Sequence, residues 1–559
     1  MESNPDTPVR SAQKVVDVLS AQGVEYIFGV PGAKIDAVYD ALVDGGPQLV
    51  VCRHEQNAAF MAGAIGRLTG TPGVVLVTSG PGTTNLATGL LTANTEQDPV
   101  VALCGAVNRK DRLKRTHQSM DAAALLRTVT KFTGEVNDPE NVAETIVGAF
   151  RAALSEPRGA AAVVLPADVL AAPTTAGITA RMPIPPLANA PTAAIATATE
   201  LIRAARRPAL LVGIRGADPD STEALRTLVA ATGLPVLETF QAAGVISREL
   251  EDYFLGRVGL FRNQPGDVVL AHADVVITVG YDAVEYDPVL WNNDVGRTVL
   301  HIDSVHADID NNYQPTLELL GNIAATLTAL TDSLAGHTLT NDYQAEIANE
   351  RRTLTELDAA GRDRTPDGPG LNPVAVLGRL RDELDDEATI ACDVGSVYIY
   401  MARYFRVYEP RRLLFSNGQQ TLGVALPWAM AACLVRPGTT VVSVSGDGGF
   451  LFSAQELETA TRLGLTFTHI IFRDDSYDMV GFQEVLKYGR RSGVQLGDYD
   501  IVSYAAAFGA HGYRVNTLDE FSATLRHALA EPGVSLVDVP VDYSRNTELA
   551  DHLHDDAFE

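Results

Sequence analysis

At 559 residues, with 46% hydrophobic and 20% charged side chains, the chain is too long for one core and reads as a globular protein of about three domains. A formal net charge of −27 and a pI near 4.8 argue against nucleic acid or an anionic membrane as a partner. No apolar run reaches the roughly 18 residues of a spanning helix, and Met1 to Val9 lacks the regions of a signal peptide, so a cytoplasmic protein is expected.

In chain order, residues 10–172 alternate helical and strand periods. Ser11 to Gln22 is helical, Tyr26 to Val30 is a strand ending at Pro31-Gly32, and Ile35 to Leu42 is helical again. Leu49 to Cys52 is a strand running into Arg53-His54-Glu55-Gln56. Ala58 to Leu68 is a helix, and Gly73 to Val77 a strand ending in Thr78-Ser79-Gly80-Pro81-Gly82. This alternation predicts parallel sheet. From Leu165 the composition turns to Ala, Pro and Thr, which reads as a surface linker. A second α/β block, 194–335, offers strands at Ala209–Gly213, Pro235–Glu238, Val275–Gly280 and Val299–Asp303. Arg362 to Pro373 reads as a second linker, 374–545 as a third block, and the acidic tail from Glu548 as only partly ordered. The fold class expected is α/β, with three doubly wound parallel-sheet domains. Cys52, Cys104, Cys392 and Cys433 are scattered, without the spacing of a zinc site or a disulfide framework.

The chemistry concentrates in the third block. Val441 to Ser445 is a β-branched run broken by Gly446-Asp447-Gly448-Gly449, and a second strand, Thr466 to Phe472, ends near Asp474-Asp475-Ser476. Asp447 and Asp474 are 27 residues apart, the length of one strand-helix-strand unit, so the two carboxylates should meet at adjacent strand tips, where open parallel sheets bind ligands. Glycines let the backbone approach a phosphate, and two carboxylates suit Mg²⁺ bridged to it. A tight strand-to-helix turn with Asp474 as a helix cap is the structural alternative. The segment 74–82, VVLVTSGPG, echoes 441–449, VVSVSGDGG, as a duplicated unit would. Glu55, just past a strand and ahead of a buried helix, could share a proton with a ring nitrogen. It could equally be satisfied by Arg53 or cap the helix.

Together Arg53 to Ala62, the Ser-Gly-Pro-Gly turn, the Gly-Asp-Gly stretch and its distal Asp resemble thiamine diphosphate (ThDP)-dependent enzymes. Gly29 to Asp36, Lys114 to Ser119, Gly259 to Asp267 and Gln420 to Pro427 resemble more narrowly the FAD-independent, catabolic acetolactate synthases, which make 2-acetolactate for acetoin biosynthesis. The resemblance covers about 10–545. It implies a pyrimidine-binding domain (10–172), a central domain (194–335) and a diphosphate-binding domain (374–545). ThDP and Mg²⁺, but no FAD, would be bound in sites formed between the subunits of a homodimer or homotetramer.

Carried over by residue, the resemblance gives Glu55 the cofactor's pyrimidine proton and assigns the metal to Asp447, Asp474 and the Ser476 carbonyl. Cofactor contacts would come from Gly446, Gly448, Gly449, Ser396, Gln419, Met479, Thr78 and Asn85. Gln118, beside His117, would sit near the reacting carbonyl of pyruvate, while Lys34 and Arg262 would face the second pyruvate's carboxylate unless they are surface charges. Departures from the family pattern are Gln419 for a Met beneath the cofactor, Val397 for a His, Arg473 for an Asn and Asp475 for a Ser. They leave open a carboligase with another acceptor, or a non-catalytic relative. A nicotinamide dehydrogenase ranks last, because the N-terminal block has no GxGxxG.

Overall fold

The computed structural model describes residues 8–550, apart from 113, 179, 182, 261, 262, 294 and 295. Arg262 and the tail from residue 551 onward therefore lie outside the described residues.

Three six-stranded parallel sheets form the molecule, as the strand-helix alternation predicts. The first contains, in chain order, Tyr26–Val30, Gln48–Val51, Gly73–Val77, Val100–Ala106, Phe132–Glu135 and Ala160–Pro166. Its spatial order is 2-1-3-4-6-5. The third contains Thr389–Cys392, Leu413–Leu414, Val441–Gly446, Phe467–Arg473, His511–Arg514 and Val534–Pro540, in the same order. The echoed nonapeptides fall on the third strand of each sheet, so the repeat in sequence is a repeat in topology. Gly73–Val77 is buried at every position, as expected of strands covered by helices on both faces.

The central sheet runs Phe254–Arg257, Val236–Glu238, Pro208–Val212, Val275–Val279, Thr298–Asp303, Leu317–Leu320, or 3-2-1-4-5-6. Its two outer strands escape sequence patterning because Arg257 and Glu318 interrupt their apolar runs. Arg257 is nonetheless buried, with Glu238 of the neighbouring strand 3.3 Å away. The 23-residue helix Asn341–Asp363 turns Tyr343, Ile347 and Leu354 into the central core and runs two residues into the stretch expected to be the second linker. Among the described residues, no helix is long and apolar enough to cross a membrane.

The first and third domains share a core: Ala58, Phe60 and Met61 of helix Glu55–Thr69 pack in one cluster with Trp428 and Met430 of helix Ala425–Val435. Arg67 ties all three domains at the edge of that core. Its guanidinium holds Asp98 through two 2.8 Å bonds, donates to the Phe415 carbonyl (2.8 Å) and to Gln241 of the central domain (3.2 Å), and lies over the Trp428 ring. Glu96 beside it accepts from the Gly418 N–H at 2.9 Å, and burial pushes its carboxyl up to about 7. Removing Arg67 would strand two buried acids. Arg67→Met is expected to lower the unfolding free energy by about 3–5 kcal/mol in urea titrations, whereas a loss under about 1 kcal/mol would place the interdomain stability elsewhere.

Candidate active site

In the third sheet, Gly446 is in register with Phe472, so the two strands end level. Asp447 opens the four-residue helix Asp447–Phe450 and Asp474 follows the neighbouring strand, placing both carboxylates at the sheet's C-terminal edge. Asp447 is 1% exposed; it accepts from the N–H groups of Gly448 (2.9 Å) and Asp475 (2.8 Å). Asp475 aims its N–H from a left-handed backbone, φ 55°, a region Asp tolerates better than most residues. The Ser476 hydroxyl donates to Asp474 at 2.6 Å. The helix beyond begins only at Asp478, so Asp474 is not its cap.

A cavity of about 260 Å³ opens over this pair. The N-termini of helices Ser396–Tyr404 and Asp478–Tyr488 reach its wall, bringing unpaired N–H groups and positive dipole ends. A Cβ on Gly446 would meet nothing within 4 Å, so the backbone is open to a ligand there, whereas one on Gly448 would strike the Tyr477 ring at 2.6 Å. The described lining contains no Lys, Arg or His. A phosphate group could therefore sit beside Asp447 and Asp474 only with a cation between them. Among the described residues no three His, Cys, Asp or Glu side chains are grouped to hold a metal, and a pair of carboxylates fits an oxygen-seeking ion that keeps phosphate and water as ligands. The donor set thus fits a divalent cation bridged to a diphosphate.

Gly446, Gly448, Gly449, Ser396, Ser476 and Met479 all line this cavity. Gln419 does not: it is exposed, and its amide donates to Thr95 at 3.1 Å, while Gln420 and Leu422 form the wall. Leu422 is the apolar residue this loop gives to the cavity wall. Val397 is buried in the core and reaches the same wall. Arg473 turns away from the carboxylate pair to Asp538 (3.1 Å) and Asp498 (3.2 Å). Asp478 carries no sequence motif that would single it out. Buried at the start of its helix, it accepts from Ser396 (2.7 Å), Arg491 (2.7 Å) and Asn546, and so fixes one cavity wall.

The second cluster lies at the equivalent edge of the first sheet. Glu55 begins helix Glu55–Thr69 at 8% exposure, and Asn85 donates to its Oε2 at 3.0 Å. Arg53 instead pairs with Glu458 at 3.3 Å, and the helix cap is His54. Gln118, φ 59°, packs across Gly80 of the turn beside Glu55. Thr78 and Ser79 there have buried hydroxyl oxygens with no hydrogen-bond partner, as polar groups awaiting a ligand would. Lys34 is half-buried in the turn after Tyr26–Val30, and His117 is exposed. Glu55 does not line the Asp447 cavity, so the two clusters are separate within one chain.

Burial pushes Asp447 up to about 6; burial, then the neighbouring charges of Asp478 and Asp447, push Asp474 up to about 7. In the cation-free chain both acids therefore cost stability as pH rises from the ordinary carboxyl range through about 7, and a bound cation restores it. At pH 8 in chelator, Asp474→Asn is expected to melt above the parent, at about 2–4 °C for each kcal/mol relieved. At pH 4 the two should coincide, and Mg²⁺ should raise only the parent's Tm at pH 8. A lower Tm for the variant at pH 8 would contradict the arrangement.

Comparison with known families assigns residues 9–125 to the thiamine pyrophosphate enzyme N-terminal TPP binding domain, 195–330 to the central domain and 393–539 to the C-terminal TPP binding domain. An acetolactate synthase of Bacillus subtilis (strain 168) is 52% identical over 97% of this chain and 95% of its own length. A catabolic acetolactate synthase of Raoultella terrigena is 43% identical over 97% of both chains, and the acetolactate synthase isozyme 2 large subunit of Escherichia coli (strain K12) 31% over 96% of both. Three matching family domains and these full-length likenesses agree: the chain belongs to the thiamine pyrophosphate enzyme family, on the branch that holds the acetolactate synthases.

Proposed function

We propose that the chain is a ThDP- and Mg²⁺-dependent acetolactate synthase that joins two pyruvates into 2-acetolactate and CO₂. The observation that carries this reading is the cavity over Asp447 and Asp474, whose described lining has no basic side chain, so that a diphosphate would be accepted there through a cation. Asp447, Asp474 and the Ser476 carbonyl hold the cation, while the N–H groups at the helix starts hold the phosphate oxygens. When bound, ThDP supplies the nucleophilic carbon and the electron sink for decarboxylation.

Glu55 holds a proton at the pyrimidine ring nitrogen, oriented by Asn85. Leu422 and Met479 give the cavity over the carboxylate pair an apolar stretch of wall. Gln118 faces the reacting carbonyl, and Lys34, with Arg262, selects an acceptor that bears a carboxylate.

Each working site draws Glu55 from one copy and the carboxylate pair from another, in a homodimer or homotetramer. Leu451, Phe452 and Val480, all more than 40% exposed beside the cavity segments, support a second copy covering this face. The cysteines are all unpaired, which fits the reducing cytoplasm.

Incubation with pyruvate alone is expected to yield acetolactate. Its absence, with product appearing only when a ketone or aldehyde is added, would reassign the acceptor. Glu55→Gln should lower kcat by about 10²–10⁴ while leaving the Tm and binding of Mg²⁺-ThDP intact. Full activity in that variant would remove Glu55 from the mechanism.

A further inference from the structure

The turn that delivers Glu55 is held from outside its own domain. Glu456 lies nine residues past Asp447 and is completely buried. Its Oε1 accepts from the N–H groups of Arg53 (2.8 Å) and His54 (3.1 Å) and from the Asn57 side-chain amide (3.1 Å). Its Oε2 takes the Thr459 hydroxyl at 2.6 Å. Glu458 pairs with the Arg53 side chain, and Arg462 donates to the Val51 carbonyl, so one short segment of the third domain grips residues 51–57.

The helix start does not need this acid for capping, because His54 already accepts from the Gln56 N–H at 3.1 Å. Each of the three hydrogen bonds Glu456 accepts from the first domain comes from a residue within two positions of Glu55. A buried carboxylate with each oxygen used also fixes direction, since shifting the turn would leave the charge unsatisfied.

We propose that Glu456 is a positioning residue for Glu55, setting the angle at which that carboxyl meets the cofactor's pyrimidine. This rests on the reading of Glu55 as the group that shares the cofactor's proton. Glu456 lies on the segment that begins with Asp447, while a working site takes Glu55 and Asp447 from different copies. Each Glu456 therefore spans the supports of two sites.

The test compares wild type, Glu456→Gln, Glu456→Ala and Asn57→Ala. Three readouts are amide exchange across 51–58 in the ligand-free protein, calorimetric binding of Mg²⁺ with inorganic pyrophosphate, which fills only the diphosphate half, and deuterium exchange at the reactive carbon of bound ThDP. Glu456→Ala should speed amide exchange at Arg53 and His54, leave Mg²⁺-pyrophosphate affinity within about twofold, and slow cofactor exchange by about tenfold or more. Glu456→Gln, which can still accept these N–H groups, should recover most of that rate. Cofactor exchange within about twofold of wild type in Glu456→Ala would overturn the proposal, reducing Glu456 to packing. Should Glu456→Ala fail to fold, Asn57→Ala and Glu456→Gln decide the matter: both should show smaller losses, and wild-type rates in both would overturn it. Wild-type protein that binds ThDP without exchanging its carbon-bound hydrogen would instead refute the role given to Glu55.

Discussion

Asp447, buried, and Asp474, half-buried beside it, face a cavity whose described lining holds no basic side chain, and this is the constraint around which the third domain is built. Burial disfavours the charged form of both Asp447 and Asp474, which holds both carboxyls above the ordinary range, and a cation bound there would offset that cost. The surroundings supply partial charge in place of basic side chains: the N–H groups of Gly448 and Asp475, the starts of two helices, and the hydroxyl of Ser476. The carboxylates by themselves repel an anion, so a diphosphate would be held there only with a cation in place, and its affinity would then depend on metal.

The same physics runs through the duplicated architecture. Both outer sheets have the order 2-1-3-4-6-5, and both place their chemistry at the carboxyl edge, yet the two edges have diverged. One carries a single acid steadied by Asn85, with unpaired hydroxyls nearby; the other carries the carboxylate pair. In the central sheet, the order 3-2-1-4-5-6 creates a switch-point crevice of the dinucleotide-binding kind. At that edge Glu285 takes the Ile214 N–H at 2.9 Å, and Arg215 is held by Asp303 (2.8 Å) and Asp282 (3.0 Å).

Buried acids of the first and third domains reach the site through one loop. Asp393, at the end of the first strand of the third sheet, accepts from Gly423 (2.9 Å) and Ala425 (3.3 Å), while Glu96 of the first domain accepts from Gly418. Between them they set the course of the 416–425 loop. That course puts Gln420 and Leu422 on the cavity wall and sends Gln419 to Thr95.

Much of this was legible in the amino-acid order, because strand tips and tight turns are decided over a few residues. The β-branched run before Gly446, the 27-residue spacing to Asp474, the echo at 74–82 and the placement of Glu55 after a strand are all local patterns, and each reappears in the fold. The outer strands of the central sheet were not legible, since Arg257 is tolerated inside only because Glu238 lies beside it. Nor was the direction of Gln419, the burial of Asp478, or the grip of Glu456 on a turn some 400 residues earlier. A buried polar group must find a partner wherever the fold brings one, and that partner's distance along the chain leaves no periodic trace. The sequence by itself therefore determined which residues stand at the edges of the sheets; the tertiary structure alone decided which of them face the same space.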